Sequence, residues 1–210
     1  MDGPDVWVES RTKPICNVPP FIRGCQPTDD GNFILTLEEK DELLANEPQA
    51  KPLNRPFMMG ADFIQRKPRY CLWMKGASPQ VIRSCPTVME RISKVREFRL
   101  ASKKPATRAK AETPTLFDEI REPVTDYVAL PVVSSEQRFY IPMGYLNGEI
   151  IPGNKLFIIP NASLFHFGVL TSSVHMAWMR TVCGRLKSDY SYSNTIVYNN
   201  FPWPKLGEFS

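Results

Sequence analysis

Histidine is nearly absent from this 210-residue sequence: His166 and His175 are its two histidines, nine positions apart. Nine residues is about two and a half helical turns, so the rings do not face one another for metal binding or proton relay. Neither has a Ser or Cys nucleophile in a recognisable context, and both are expected to pack within or along the edge of a helix. Cysteine is sparse. Cys16, Cys25, Cys71, Cys85 and Cys183 are odd in number and form no C-x-x-C. That pattern excludes a disulfide scaffold, argues against zinc, and points to reduced thiols in a cytoplasmic protein. The eleven glycines never fall into G-x-G-x-x-G or a P-loop, so no Gly-rich turn lets a nucleotide cofactor approach the backbone. Long apolar runs are missing too. The most apolar stretch, KLFIIPNASLFHFGVL, is broken by Pro160 and Asn161, and the acidic start MDGPDVWVES lacks the core of a signal peptide.

What the chain has in quantity is proline. Twenty of them, from Pro4 to Pro204, punctuate it into short elements joined by turns. The hydrophobic share of 42% suffices for a core, and a net charge of +4 permits a polyanionic partner without demanding one. DVWVES alternates as an opening strand does, and FILTL, RYCLWM, YVALPVV, RFYIPMGYL and KLFIIP predict further strands. Thr36 with Glu39 makes a capping box for a helix over LEEKDELLANE, which stops before Pro48. SPQVIRSCPTVMERISKVREFRLASKK predicts helix broken once at Pro86, with Val88, Ile92, Val95 and Arg99 on one face. SLFHFGVLTSSVHMAWMRTVCGRL predicts one long, mostly buried helix. The expected class is α+β: a mixed, mainly antiparallel twisted sheet with a basic helix and a long buried C-terminal helix.

Two short patterns imitate enzymes and fail on geometry. Asp29 or Asp30 followed by Glu38 and Lys40 mimics the D…E-x-K metal site of nucleases. In that chemistry the carboxylate and lysine share a strand. Here they fall in the first turn of a capped helix, where acids complement the macrodipole. NVPPF, residues 17–21, is one insertion away from the N-P-P-F with which adenine-N6 methyltransferases hold a flipped base. Val18 displaces the ring relative to the Asn, and no cofactor domain is expected ahead of it. The stretch reads as a stiff connector with Phe21 packed beneath Pro19–Pro20. No catalytic residue and no metal ligand emerges.

The C-terminal stretch SSVHMAWMRTVCGRLKSDYSYSNTIVYNNFPWP closely resembles the end of the recognition region in MmeI-like restriction–modification enzymes. These are large bacterial proteins that join nuclease, adenine methyltransferase and DNA-recognition domains. GCQPTDDGNFILTLEEKDELL, RPFMMGADFIQRKPRYCLW, RISKVREFRLASKKPATRAKAETP and VVSSEQRFYIPMGYL match in order, so the resemblance spans nearly the whole chain. It implies that residues 1–210 are a DNA target-recognition domain, residues 1–32 being a connector from the catalytic domain. The true N-P-P-aromatic motif and the S-adenosylmethionine site would then lie upstream. The implied partners are double-stranded DNA and the parent's methyltransferase domain, with no membrane, no cofactor in this piece, and neither methyl transfer nor cleavage by it alone. In such a machine the recognition domain reads base edges in the major groove while its neighbour flips the adenine.

Candidate contacts follow from these requirements. Arg91, Lys94, Arg96, Arg99, Lys103, Lys104, Arg108 and Lys110 stand against only Glu90 and Glu97 in that segment, a local surplus exceeding the net +4 of the chain. They suit phosphate contact, with a solvated helix face as the alternative. Arg66, Lys67 and Arg69 form a smaller basic set. SSEQRFYIP offers Ser135, Glu136 and Arg138, chemistry that suits guanine and cytosine edges unless the two charges only pair with neighbours. GRLKSDYSYSN presents Arg185, Lys187, Ser188, Tyr190 and Tyr192 to phosphates, whereas Tyr198, Asn199, Asn200, Phe201 and Trp203 suit packing against the rest of a parent enzyme. The rival reading is a docking module of the same enzyme without direct base contacts.

Overall fold

The computed structural model describes residues 7–205. The strand expected over residues 5–10 begins outside that range, and residues 7–10 form no strand. Further on, Thr36 and Glu39 close the capping box: Thr36 Oγ1 accepts the Glu39 amide at 3.2 Å and the Glu39 carboxylate accepts the Thr36 amide at 2.8 Å. Helix α1 (Leu37–Asn46) starts there and stops short of Pro48. A 3-10 turn (Pro48–Leu53) leads into β3 (Asn54–Met58), which pairs antiparallel with β4 (Arg69–Leu72). With β2 (Ile34–Leu35) and β8 (Ile151–Pro152) they form a sheet of order β2-β4-β3-β8, in which β3 and β8 run parallel.

Against this sheet lie α3 (Pro79–Arg83) and α4 (Pro86–Leu100), separated at the proline the sequence marked. Proline suits the first helical position because the amide it lacks has no intrahelical partner there. Glu47, buried at the end of α1, accepts the Thr87 amide at 2.7 Å and so places its carboxylate at the positive end of α4. The α4 face of Val88, Ile92 and Val95 buries against Phe33, Leu35, Leu53, Leu72 and Trp73, forming the first core. Burying each such aliphatic side chain stabilises by about 1.5–3 kcal/mol.

A second four-stranded sheet, order β1-β9-β5-β7, is antiparallel throughout. It comprises β1 (Ile22–Arg23), β9 (Leu156–Pro160), β5 (Tyr127–Pro131) and β7 (Gly144–Leu146). The pleat sorts its residues. Val128, Leu130, Phe157 and Ile159 enter the second core with the C-terminal elements, while Tyr127, Ala129 and Ile158 face Phe63 of α2 (Gly60–Gln65). Covered on both faces, β5 and β9 read as continuous apolar runs rather than alternating ones. The RFYIPMGYL strand shrinks to β7, because Arg138 turns back onto Ser135 O at 3.1 Å and Pro142 has no amide to donate to a ladder. The two sheets meet where Cys25 bridges Gly153. A Cβ on Gly24 would lie 2.6 Å from Pro152 O, so only glycine permits that approach.

The long buried C-terminal helix is not formed. Residues 163–186 instead divide into α6 (Leu164–Leu170), α7 (Ser173–Val182) and the first strand of a hairpin, β10 (Gly184–Leu186) with β11 (Asp189–Ser191). Ser172 causes the break. Its Oγ accepts the His175 amide at 3.1 Å as the cap of α7 and donates to Val169 O at 2.7 Å, giving the backbone local partners that compete with a continuous helix. β11 also pairs with β6 (Val133–Ser134), which makes a third sheet of order β10-β11-β6. Phe21 is buried among Phe157, Tyr192 and Tyr198, and the Tyr198 hydroxyl donates to Pro19 O at 2.7 Å. NVPPF thus anchors the chain's entry into the second core.

Candidate nucleic-acid interface

Pairing of β6 with β11 aligns Tyr190 with Ser134 and brings the 135–140 segment beside the β10–β11 hairpin. The Glu136 amide donates to the Asp189 carboxylate across the junction at 3.3 Å, and within the segment the Gln137 amide donates to Ser135 Oγ at 3.3 Å. Buried Ser134 and Ile141 hold the segment at its two ends. Thus Ser135, Glu136 and Arg138 stand together with Arg185, Lys187 and Tyr190, although the two stretches are some fifty residues apart in sequence. Among the described residues, neither the Glu136 carboxylate nor the Arg138 guanidinium makes an ion pair or side-chain hydrogen bond within the protein. The arrangement in which they only pair with neighbours is therefore not the one adopted.

Tyr190 differs from expectation. Its ring is buried in the second core and forms a shelf on which the Arg185 guanidinium stacks at 4.0 Å, while Arg185 Nη1 donates to Ser188 O at 3.0 Å. Lys187 occupies the exposed two-residue tip at φ +56°, a backbone conformation that glycine adopts more readily. Sequence reasoning missed Arg180, Phe139 and Tyr140. Arg180, on α7, donates to Phe139 O, and its guanidinium lies 5.0 Å from the centre of the Phe139 ring. Assigning residues 163–186 to one buried helix hid that position; an Arg on an otherwise apolar helix was the available signal.

The basic helix separates into a structural part and a free part. Arg99 is 0% exposed, and its guanidinium donates to Thr28 O, Lys110 O, Thr113 O, Pro27 O and Leu116 O at 2.7–3.1 Å. Every one of its five N–H groups is occupied, so Arg99 has nothing left for a phosphate. Burial pulls its pKa down while Asp118 and Asp29 oppose the shift, and the group remains a cation. Arg91 pairs with Glu39 at 3.2 Å, Lys94 with Glu90 at 2.6 Å and Lys110 with Asp118 at 3.3 Å. Arg96, Lys103, Lys104 and Arg108 are exposed and without an ion pair among the described residues. They run from α4 into α5 (Pro105–Ala109), where Arg108 also ties Ser102 O and Lys103 O. In the smaller set Arg69 pairs with Asp62, while Arg66 and Lys67 are exposed.

Residues expected to face a parent enzyme turn inward instead. Tyr198, Asn199, Phe201 and Trp203 are buried in this chain, and the Asn200 side-chain amide bonds Glu9 O, Thr195 O and Ile196 O. His175 is fully buried and shares a 2.8 Å hydrogen bond with the Tyr192 hydroxyl; burial lowers its pKa to about 4, so the ring is neutral. His166 packs on Phe165 and Trp203. All five cysteines are free thiols. Among the described residues no three His, Cys, Asp or Glu side chains cluster as a metal would need, and no helix is long and apolar enough to cross a membrane.

The arrangement does not suit S-adenosylmethionine. Its parallel pairing is confined to the short β3–β8 contact and the Cys25–Gly153 bridge among the described residues, so the crevice at the ends of a parallel sheet is not built.

Residues 2–205 match the family described as MmeI, target recognition domain. The chain is 38% identical over 205 residues to DNA methyltransferase A of Bacillus subtilis (strain 168), a match covering 98% of this chain and 23% of that protein. It also superposes, with a TM-score of 0.96 and 45% identity, on a solved type IIL restriction–modification enzyme, MmeI, in complex with DNA. That match covers 99% of this chain and 28% of the other, so the chain spans about a quarter of the length of these relatives. By a match along nearly its whole length, this chain belongs to the MmeI target-recognition-domain family.

Proposed function

We propose that this chain reads a DNA sequence for an adenine-N6 methyltransferase of the restriction–modification type, with the reaction carried out by other domains of a longer protein. The observation that carries the reading is Glu136 and Arg138, whose side chains have no partner among the described residues, on a segment anchored at both ends. A fork of guanidinium donors fits guanine O6 and N7, and a carboxylate accepts from cytosine N4, so this pair has the chemistry to read a G·C pair from the major groove. Ser135 stands beside them as a smaller donor or acceptor. Arg185 and Lys187 on the hairpin, with Arg96, Lys103, Lys104 and Arg108 along α4 and α5, serve phosphates, which position the protein without specifying sequence.

Methyl transfer and its cofactor, S-adenosylmethionine, belong in this reading to a catalytic domain against which this one closes over duplex DNA. Residues 1–32 lead in from that domain. The free thiols suit a reducing, cytoplasmic setting. The docking alternative has an observation of its own. Two apolar grooves of 520 and 560 Å³ flank Phe165 and Pro204, a surface suited to a neighbouring domain. The grooves are lined by other residues than the candidate contacts, and only reading accounts for the charges without partners among the described residues.

Salt dependence tests the proposal. Binding of this chain to a duplex should weaken steeply between low and physiological ionic strength as counterions are released. Replacing Arg96, Lys103 and Lys104 by Ala should flatten the log–log slope by roughly 2 to 3. A slope near zero for the unaltered chain would sink the assignment.

A further inference from the structure

Phe139 is 72% exposed, an unusual position for a large apolar ring held by so many contacts. The Arg180 guanidinium covers one face of it and bonds its carbonyl, Tyr140 meets it edge-on with ring centres 5.1 Å apart, and buried Ile141 fixes the chain two residues on. Trp7, Val124, Leu164 and Val174 are about as exposed, but none has a cation against it; Leu164 and Val174 line an apolar groove instead. Among the described residues, Phe139 is the one exposed ring that a cation covers. The residue before it in the chain is Arg138.

We propose that Phe139 is a wedge that enters the base stack of bound DNA beside the bases contacted by Glu136 and Arg138, with Arg180 as the residue that positions it. This rests on the DNA-reading assignment and adds a function to it. The cations beside the ring are drawn to phosphates, and the ring itself is repaid by stacking on bases. With Arg180 on one face, the ring is still 72% exposed and has surface to offer a base. A machine that swings an adenine out of the helix needs such a filler, because the vacated stack otherwise collapses or re-admits the base.

The test uses the 210-residue chain and two fluorescent duplexes of one sequence, one intact and one with a single central abasic site, where the gap in the stack is already open. The unaltered protein should bind the abasic duplex about tenfold more tightly, since the unstacking cost is removed. Phe139→Ala should abolish that preference, and Phe139→Trp should restore it. A preference that persists in Phe139→Ala, or is absent from the unaltered chain while salt-dependent binding to the intact duplex remains, overturns the wedge and leaves the DNA-reading assignment standing. Absence of salt-dependent binding to either duplex overturns both. Phe139 is exposed, so an unchanged melting temperature of Phe139→Ala will show that the fold is intact.

Discussion

Arg99 shows how one side chain can be read correctly for its face and wrongly for its task. The spacing Val88, Ile92, Val95, Arg99 placed it on the buried stripe, yet its charge suggested a phosphate. The carbonyls that surround it come from residues 27–28 and 110–116, and no local pattern announces that convergence. Arg99→Ala strands several buried carbonyls at once and should cost about 3 kcal/mol or more in urea unfolding. Arg99→Lys should recover only part of that, because an ammonium has three donors and no planar fork. His175 makes a second residue-scale prediction. Its folded pKa of about 4 lies below the ordinary 6.5, so between those values the unfolded chain binds the extra proton and the folded chain does not. Stability from this group is present in full above about pH 6.5 and falls as pH drops towards 4, by about 3 kcal/mol in all. Comparing unfolding free energies at pH 7 and pH 5 for the native chain and for His175→Gln checks it; equal pH dependence in the two proteins contradicts the account.

At the scale of elements, local chemistry was legible wherever it was self-contained. The Thr36–Glu39 box, the proline break before α4 and the apolar runs of β4, β5 and β9 all follow from neighbouring residues. The division of residues 163–186 was not legible from periodicity, because α6 and α7 are both apolar and the break depends on one serine bonding its own backbone. The hairpin after α7 was missed for the same reason. Its tip offers a clean experiment. Lys187→Gly should keep or raise stability by up to about 1 kcal/mol, since glycine accepts the positive φ without strain. The same change removes one cation and should weaken duplex binding at low salt. A melting temperature that falls while binding holds would show that Lys187 is a fold residue rather than a contact.

Across the whole molecule, two cores meet at the Gly24–Gly153 approach, and the candidate contacts divide between them. The basic helix belongs to the first core, and the 135–140 segment with its hairpin belongs to the second. Composition showed that a polyanion was permitted, and the residue blocks pointed to the family. Neither could show which charges were already spent inside the fold, a matter of tertiary pairing alone. The central claim is that this chain by itself selects DNA sequences through Glu136 and Arg138. The most direct test is enrichment of randomised duplexes by the 210-residue chain, repeated with Arg138→Ala. The account expects the unaltered chain to enrich a defined site, and the variant to bind with similar salt dependence while losing preference for guanine at one position of it. The same enriched site from both proteins, or no site from either, would contradict it.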